Sequence, residues 1–236
     1  MTAARLEIEG LSAGYGPTRI LEGVSLSLPA GGRLAVLGRN GVGKTTLLAT
    51  IAGQTRHYSG AIRMDGEQIG GLDGSARARA GLGYVPQHRA IFRSLTVEEN
   101  LFAGLKDRAR TAVEEAYALF PRLKERRRNM GGQLSGGEQQ MLTTARTILG
   151  QPRLLLLDEP LEGLAPVICD ELMAAFTRLA ASGAMSVVLV EQRLKAALAF
   201  ADHVVILERG QVAWAGTRAE LEASPGTVDR LLGVGH

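Results

Sequence analysis

Three short stretches hold residues whose types and spacing can do chemistry. Gly38-Arg39-Asn40-Gly41-Val42-Gly43-Lys44-Thr45 has the spacing G-x-x-x-x-G-K-[ST]. Its glycines let the backbone turn so that successive N–H groups face inward around phosphate oxygens. A helix after the loop adds its N-terminal dipole and unpaired donors. Lys44 would neutralise the β- and γ-phosphates, and the Thr45 hydroxyl would ligate Mg²⁺. Further on, Leu154-Leu155-Leu156-Leu157-Asp158-Glu159 puts two carboxylates at the C-terminal end of an apolar strand. Open α/β sheets bind ligands at that end. Asp158 would hold Mg²⁺ through water, and Glu159 would polarise an attacking water. The third stretch, Leu134-Ser135-Gly136-Gly137-Glu138, is a second helix start suited to an anion, with Ser135 and the N–H groups of Gly136 and Gly137 as donors. One nucleotide needs one phosphate loop, so a second such element points to two molecules sharing sites.

The elements that must carry these residues are legible in the pattern. Arg5–Ile8 and Val24–Leu28 alternate apolar and polar residues, as half-buried strands do. Arg33–Leu37 is a buried strand running into the phosphate loop, and a helix follows from Gly43 to about Ala52. Ala61–Met64 is another strand, closed by Asp65-Gly66. The middle turns helical over Thr96–Phe102 and Thr111–Phe120, with Thr96 and Glu99 forming a capping box and Pro121 as a stop. Ser135 with Glu138 is a second box, opening a helix that ends near Gly150. Leu154–Leu157 and Val187–Val190 are wholly apolar, as strands covered on both faces are. Pro166 opens and Gly183 closes the helix between them. Arg209-Gly210 joins Val204–Leu207 to Val212–Trp214 as a hairpin, and Thr217 with Glu220 opens one more helix. Strand and helix alternating at this spacing imply a mostly parallel α/β sheet.

Composition bounds the function. The 236 residues suit one domain, with 45% hydrophobic and 22% charged residues. A net charge of +3 is too weak to argue for nucleic acid. Cys169 is the lone cysteine, which excludes an internal disulfide framework, and it reads as a packing or surface residue. Four of the 27 basic residues are lysines, one of them Lys44. No apolar run approaches the roughly 18 residues of a membrane span. Met1-Thr-Ala-Ala-Arg5 lacks the apolar stretch of a signal peptide. The expectation is a soluble, cytoplasmic, globular chain. Lys124–Arg128 reads as a solvated run, with lipid or membrane-subunit contact as the sharper option. Trp214 reads as a hairpin or core anchor.

In their order these motifs resemble an ATP-binding-cassette (ABC) ATPase over nearly the whole chain. Gly38–Thr45 is similar to the Walker A motif, Leu134–Glu138 to the signature, and Leu154–Asp158 with Glu159 to Walker B and its catalytic glutamate. Tyr15 sits where the family's adenine-stacking aromatic sits, and Glu162-Gly163-Leu164-Ala165 occupies the D-loop position. Gln87 in Tyr84-Val85-Pro86-Gln87 matches the glutamine that contacts Mg²⁺ and water and senses the membrane partner. The resemblance implies a P-loop NTPase fold over 1–236: a RecA-like α/β core, an N-terminal antiparallel β subdomain and a helical subdomain inserted at about 88–150. It implies ATP binding by Tyr15, Gly38, Asn40, Gly41, Gly43, Lys44, Thr45 and Thr46, and metal binding by Thr45, Gln87 and Asp158. Ser135, Gly136 and Gly137 would clasp the nucleotide of a second ABC ATPase in a head-to-tail homo- or heterodimer. Transmembrane permease subunits would dock on the segment after Gln87, where His88 and Arg89 follow. An external solute-binding protein would deliver the solute. The location implied is peripheral, on the cytoplasmic face of the cell membrane.

One position departs from the family. Where a histidine usually follows the strand after Walker B, Val190-Glu191-Gln192 places Gln192. His57, His88, His203 and His236 do not stand where they would replace it. Glutamine hydrogen-bonds a γ-phosphate oxygen but carries no proton. With Glu162-Gly-Leu-Ala-Pro166 and Leu95-Thr-Val-Glu-Glu-Asn100, this ending resembles the smaller ATPase of branched-chain amino acid importers. Urea and short-chain amide importers belong to the same subgroup, and Arg39-Asn40-Gly41-Val42 leans toward the urea type. Two rival readings are a regulatory nucleotide-binding subunit, motivated by Gln192, and a soluble cassette ATPase of repair, translation or cluster assembly. The latter carry tandem cassettes, coiled-coil insertions or cluster cysteines, and none is visible here.

Overall fold

The computed structural model describes residues 2–233; Met1 and 234–236, with His236, lie outside the described residues. The chain opens with two long strands, β1 (Leu6–Tyr15) and β2 (Thr18–Leu28), then β3 (Arg33–Leu37) and α1 (Lys44–Ile51). Next come β4 (Arg56–Met64), β5 (Glu67–Gln68), α2 (Gly74–Arg79) and β6 (Leu82–Val85). Four helices follow: α3 (Val97–Phe102), α4 (Val113–Leu119), α5 (Pro121–Glu125) and α6 (Gly136–Leu149). The chain then alternates through β7 (Leu154–Asp158), α7 (Pro166–Ala181), β8 (Ser186–Val190) and α8 (Leu194–Phe200). It closes with the hairpin β9 (His203–Glu208) and β10 (Gln211–Thr217), then α9 (Arg218–Glu222) and α10 (Pro225–Leu232).

Two sheets result. An antiparallel sheet has the order β2-β1-β4-β5, and a six-stranded sheet has the order β10-β9-β3-β8-β7-β6. In the second sheet every neighbouring pair is parallel except β10–β9. Arg209 and Gly210 both have positive φ (48° and 79°), the geometry of a two-residue hairpin turn. The expected α/β sheet, antiparallel N-terminal sheet and inserted helices are all present.

The core divides across the six-stranded sheet. Leu155, Leu157, Val187 and Leu189 face a cluster that includes α7 and the helices α3–α6. Leu154, Leu156, Val188 and Val190 face the other way, with α1 and the antiparallel sheet. Alternation along β7 and β8 therefore fastens both additions to one sheet. The helical segment shares its apolar interior with the sheet, since Val97, Leu101 and Met141 lie in the same cluster as Leu157. Cys169 is buried in that cluster, while Trp214 packs half-buried on a third cluster with α8–α10. Lys124 and Arg126–Arg128 are exposed, and Lys124 pairs with Glu114 at 2.8 Å. No helix among the described residues is long and apolar enough to cross a membrane.

Several elements differ from the pattern reading. Pro121 does end α4, but it also opens α5, because its fixed φ suits a first helical position. The strands β1, β2 and β4 are longer than the alternation marks, with register shifts along β1 where the apolar–polar order breaks. Helix α2 has no apolar stripe; its buried residue is Arg77. The Arg77 guanidinium donates to the carbonyls of Thr50 (2.6 Å), Ile51 (2.8 Å), Leu72 (2.9 Å) and Gly70 (2.8 Å). It thereby satisfies orphan carbonyls at the end of α1. Replacing Arg77 by Met keeps most of the volume and leaves these buried carbonyls without donors. The expected loss is about 3 kcal/mol, measurable as a lowered urea midpoint.

Candidate active site

Strand order assembles the site. Strands β3, β8, β7 and β6 are consecutive and parallel, so their carboxyl ends lie along one edge. Off that edge come the phosphate loop after β3, Gln192 after β8, Asp158 and Glu159 at the end of β7, and Gln87 after β6. A cleft of about 420 Å³ opens there. Its wall includes Asn40, Gly41, Gly43, Lys44, Thr45 and Thr46 from the loop and α1. Gln87, Glu159, Glu162 and Gln192 face them, and Tyr15, half-exposed at the tip of β1, stands at the margin. Gly38 lies just behind, lining a smaller cavity with Glu191.

The loop is shaped by sterics. Gly43 caps α1 at φ 108°, a region closed to side chains, and a Cβ there would lie 2.8 Å from Leu21 Cδ2. Apart from Thr45, α1 is buried along its whole length. Its first residue, Lys44, is only 4% exposed. The Lys44 ammonium donates to the carbonyls of Gly38 (2.9 Å) and Arg39 (3.1 Å), and lies 3.7 Å from Glu159 Oε1. Glu159 itself has a positive φ of 46°. Its other oxygen accepts hydrogen bonds from Gln192 Nε2 (2.6 Å) and Gln87 Nε2 (3.3 Å). Gln87 also donates to Glu162 at 2.8 Å. Gln192 is held by its neighbour: buried Glu191 accepts the backbone N–H groups of Gln192 (3.0 Å) and Arg193 (3.3 Å). Burial pushes the Glu191 carboxyl up, and these two amides pull it back.

Asp158 is fully buried. The Thr45 hydroxyl donates to its Oδ1 at 3.1 Å, and the Tyr84 hydroxyl to its Oδ2 at 3.2 Å. Burial pushes its carboxyl up to about 6, the Thr45 and Tyr84 hydroxyls pull against that, and the Glu159 charge adds to it. Its folded value thus lies above the 3.8 of a free carboxyl. Stability from this group is complete below the unfolded value and is lost as pH rises through about 6. Asp158→Asn is therefore expected to raise the thermal midpoint of the nucleotide-free protein at pH 7.5. The gain should shrink toward zero as the pH is lowered to about 4, read by calorimetry across that range.

Two residues here escape motif reading. Tyr84 belongs to a four-residue strand interrupted by Gly83, and Glu191 precedes the motif position. A tyrosine three residues before Gln87 was the available signal for the first. Among the described residues no group of three or more His, Cys, Asp or Glu converges as a metal cage. Mg²⁺ in phosphate sites needs none, because one or two carboxylates, a hydroxyl, waters and phosphate oxygens complete its shell. Thr45 in the cleft wall and buried Asp158, with Gln87 across the cleft, form an all-oxygen donor set that fits it.

Ser135, Gly136 and Gly137 stand apart from this cleft, at the start of α6. Ser135 Oγ accepts the Glu138 N–H, and the Glu138 carboxylate accepts the Ser135 N–H in return. Gly137 sits close against its neighbours: a Cβ there would lie 2.8 Å from Ile168, whereas one at Gly136 would meet only the flexible Arg89 guanidinium, at 2.9 Å. The structure thus separates the chain's two phosphate-suited helix starts.

The family model described as ABC transporter matches residues 21–162, more than half of the chain. This chain belongs to the ABC transporter family. Its ATP-binding proteins are ATPases, and this ABC protein is an ATPase that binds nucleotide. It is 40% identical over 232 residues to the high-affinity branched-chain amino acid transport ATP-binding protein BraG of Pseudomonas aeruginosa, covering 97% of this chain and 99% of BraG. It is 35% identical over 215 residues to the probable branched-chain amino acid transport ATP-binding protein LivF of Archaeoglobus fulgidus, covering 89% and 91%. Among solved structures, an ATP-binding subunit of an ABC transporter superposes with a TM-score of 0.82 at 29% identity, covering 94% of this ABC protein and 93% of that chain. A bacterial Atm1-family ABC exporter with ATP bound gives 0.83 at 27% identity, covering 97% of this chain and 41% of the exporter.

Proposed function

We propose that this ABC ATPase powers import of branched-chain amino acids as the ATP-hydrolysing subunit of a membrane transporter. The observation that carries the solute class is the 40% identity to BraG over 97% of this chain and 99% of BraG. In this reading Tyr15 stacks on the adenine, and the loop amides with Lys44 cradle the β- and γ-phosphates. Thr45, Gln87 and Asp158 would hold Mg²⁺, which when bound would supply neutralisation of phosphate charge. Glu159 takes the proton of the attacking water. Gln192 and Gln87, already bonded to Glu159, orient that carboxylate and the water. Gln192 carries no proton itself, so Glu159 is the base.

The second half of the site comes from another ABC subunit. Ser135, Gly136 and Gly137 lie away from this chain's own cleft, which supports their serving the nucleotide of a partner. The subunit sits peripherally on the cytoplasmic face of the membrane, bound to permease subunits. A groove of about 370 Å³ beyond Gln87 suits that contact: half-exposed Phe92 lines it, with the Arg146 guanidinium stacked 4.7 Å from its ring centre.

The test is reconstitution with the native permease and binding protein in proteoliposomes. Leucine, isoleucine or valine with the binding protein should stimulate ATP hydrolysis. Stimulation by urea or acetamide instead would overturn the solute class while leaving the ATPase in place.

A further inference from the structure

We infer that Tyr84 is a positioning residue for the metal-holding carboxylate, fixing which oxygen of Asp158 faces the nucleotide. The inference rests on the site reading above, in which Asp158 and Thr45 hold Mg²⁺. A carboxylate turns easily about its last torsion, which is broad and roughly two-fold. In the structure both Asp158 oxygens are engaged, Oδ1 by the Thr45 hydroxyl and Oδ2 by the Tyr84 hydroxyl. The two bonds differ in kind. Thr45 stands in the cleft wall, and its oxygen is itself a metal ligand in this reading, so its bond to Oδ1 changes when the metal arrives. Tyr84 does not line that cleft. Its bond reaches Oδ2 from the neighbouring strand, where Tyr84 is paired with Leu156, two residues before Asp158. The Tyr84 side chain packs on the apolar cluster shared by α1 and the antiparallel sheet. A phenol on a packed ring is a pre-set donor with little freedom to lose. With Oδ2 held, Oδ1 alone is presented toward Thr45 and the loop.

The test separates metal binding from nucleotide binding and from folding. Tyr84→Phe keeps the ring and removes the hydroxyl. Mn²⁺ is titrated into protein loaded with a non-hydrolysable ATP analogue, and the free-ion EPR signal is followed. Analogue binding in EDTA is measured by calorimetry, and the melting temperature is recorded alongside. Tyr84→Phe should weaken Mn²⁺ binding roughly ten-fold, the loss of one hydrogen bond to a charged group. Metal-free analogue binding should stay unchanged, and Asp158→Asn should weaken Mn²⁺ at least as much. Equal Mn²⁺ binding in Tyr84→Phe and the unaltered protein overturns the inference and leaves the site reading intact. Equal weakening of analogue binding in EDTA also overturns it, because the effect would then be structural. No effect of Asp158→Asn on Mn²⁺ binding overturns the site reading, and this inference with it.

Discussion

Glu159→Gln should lower ATP turnover about a thousand-fold, the scale of a positioned general base, while leaving ATP bound. The substitution is nearly isosteric, so the Gln192 and Gln87 amides keep an oxygen to donate to. What disappears is the capacity to take a proton from water at this position; the other carboxylate lining the cleft, Glu162, is bonded to Gln87 rather than to the Lys44 and Gln192 that surround Glu159. Hydrolysis is the step that would reopen a dimer closed on two nucleotides. The variant with MgATP should therefore elute as a stable dimer in size-exclusion chromatography, and the unaltered protein should not accumulate it. Unchanged turnover in the variant would remove Glu159 from the mechanism.

Lys44→Ala should weaken ATP binding by about a hundred-fold, the scale of two charge-assisted bonds to phosphate. It should also abolish the dimer even when combined with Glu159→Gln. A second effect follows from the nucleotide-free geometry. Lys44 and Glu159 are both nearly buried and lie 3.7 Å apart, so removing the ammonium leaves a carboxylate without its cation. The expected cost to folding is about 3 kcal/mol. Neutralising the orphan with Glu159→Gln should return part of it, so the two substitutions are non-additive. Chemical denaturation of the two single variants and the double variant measures that coupling; strict additivity would show that the pair does not interact.

Much of this site was legible because its motifs sit at strand ends. The loop after Arg33–Leu37 and the carboxylates after Leu154–Leu157 were readable from glycine spacing and an unbroken apolar run. The link between Gln192 and Glu159 was not. It depends on β8 lying beside β7, and apolar runs mark buried strands without stating their order. Strand β6 escaped because four residues with a glycine and a following proline show no period. Tyr84 was lost with it. Helix α2 escaped because its buried face is a single arginine, and apolar periodicity cannot register a cation as core. The departure at Gln192, by contrast, was visible in sequence, and the structure adds that its amide contacts the base directly.

That same arginine alters the field that an incoming nucleotide meets. A helix presents opposite partial charges at its two ends, which largely cancel at a distance. Arg77 lies against the carbonyl end of α1, roughly 12 Å from the phosphate loop for an eight-residue helix. There a full positive charge outweighs the half-charge of the negative pole. What remains along the axis is positive at both ends, a monopole rather than a dipole. A monopole's potential decays with the first power of distance and a dipole's with the second. Salt screens exposed charges beyond about 8–10 Å, so at roughly 12 Å the Arg77 charge is felt at the loop chiefly at low ionic strength. Arg77, buried away from the cleft, thereby offsets the negative pole of α1 as well as capping its last carbonyls.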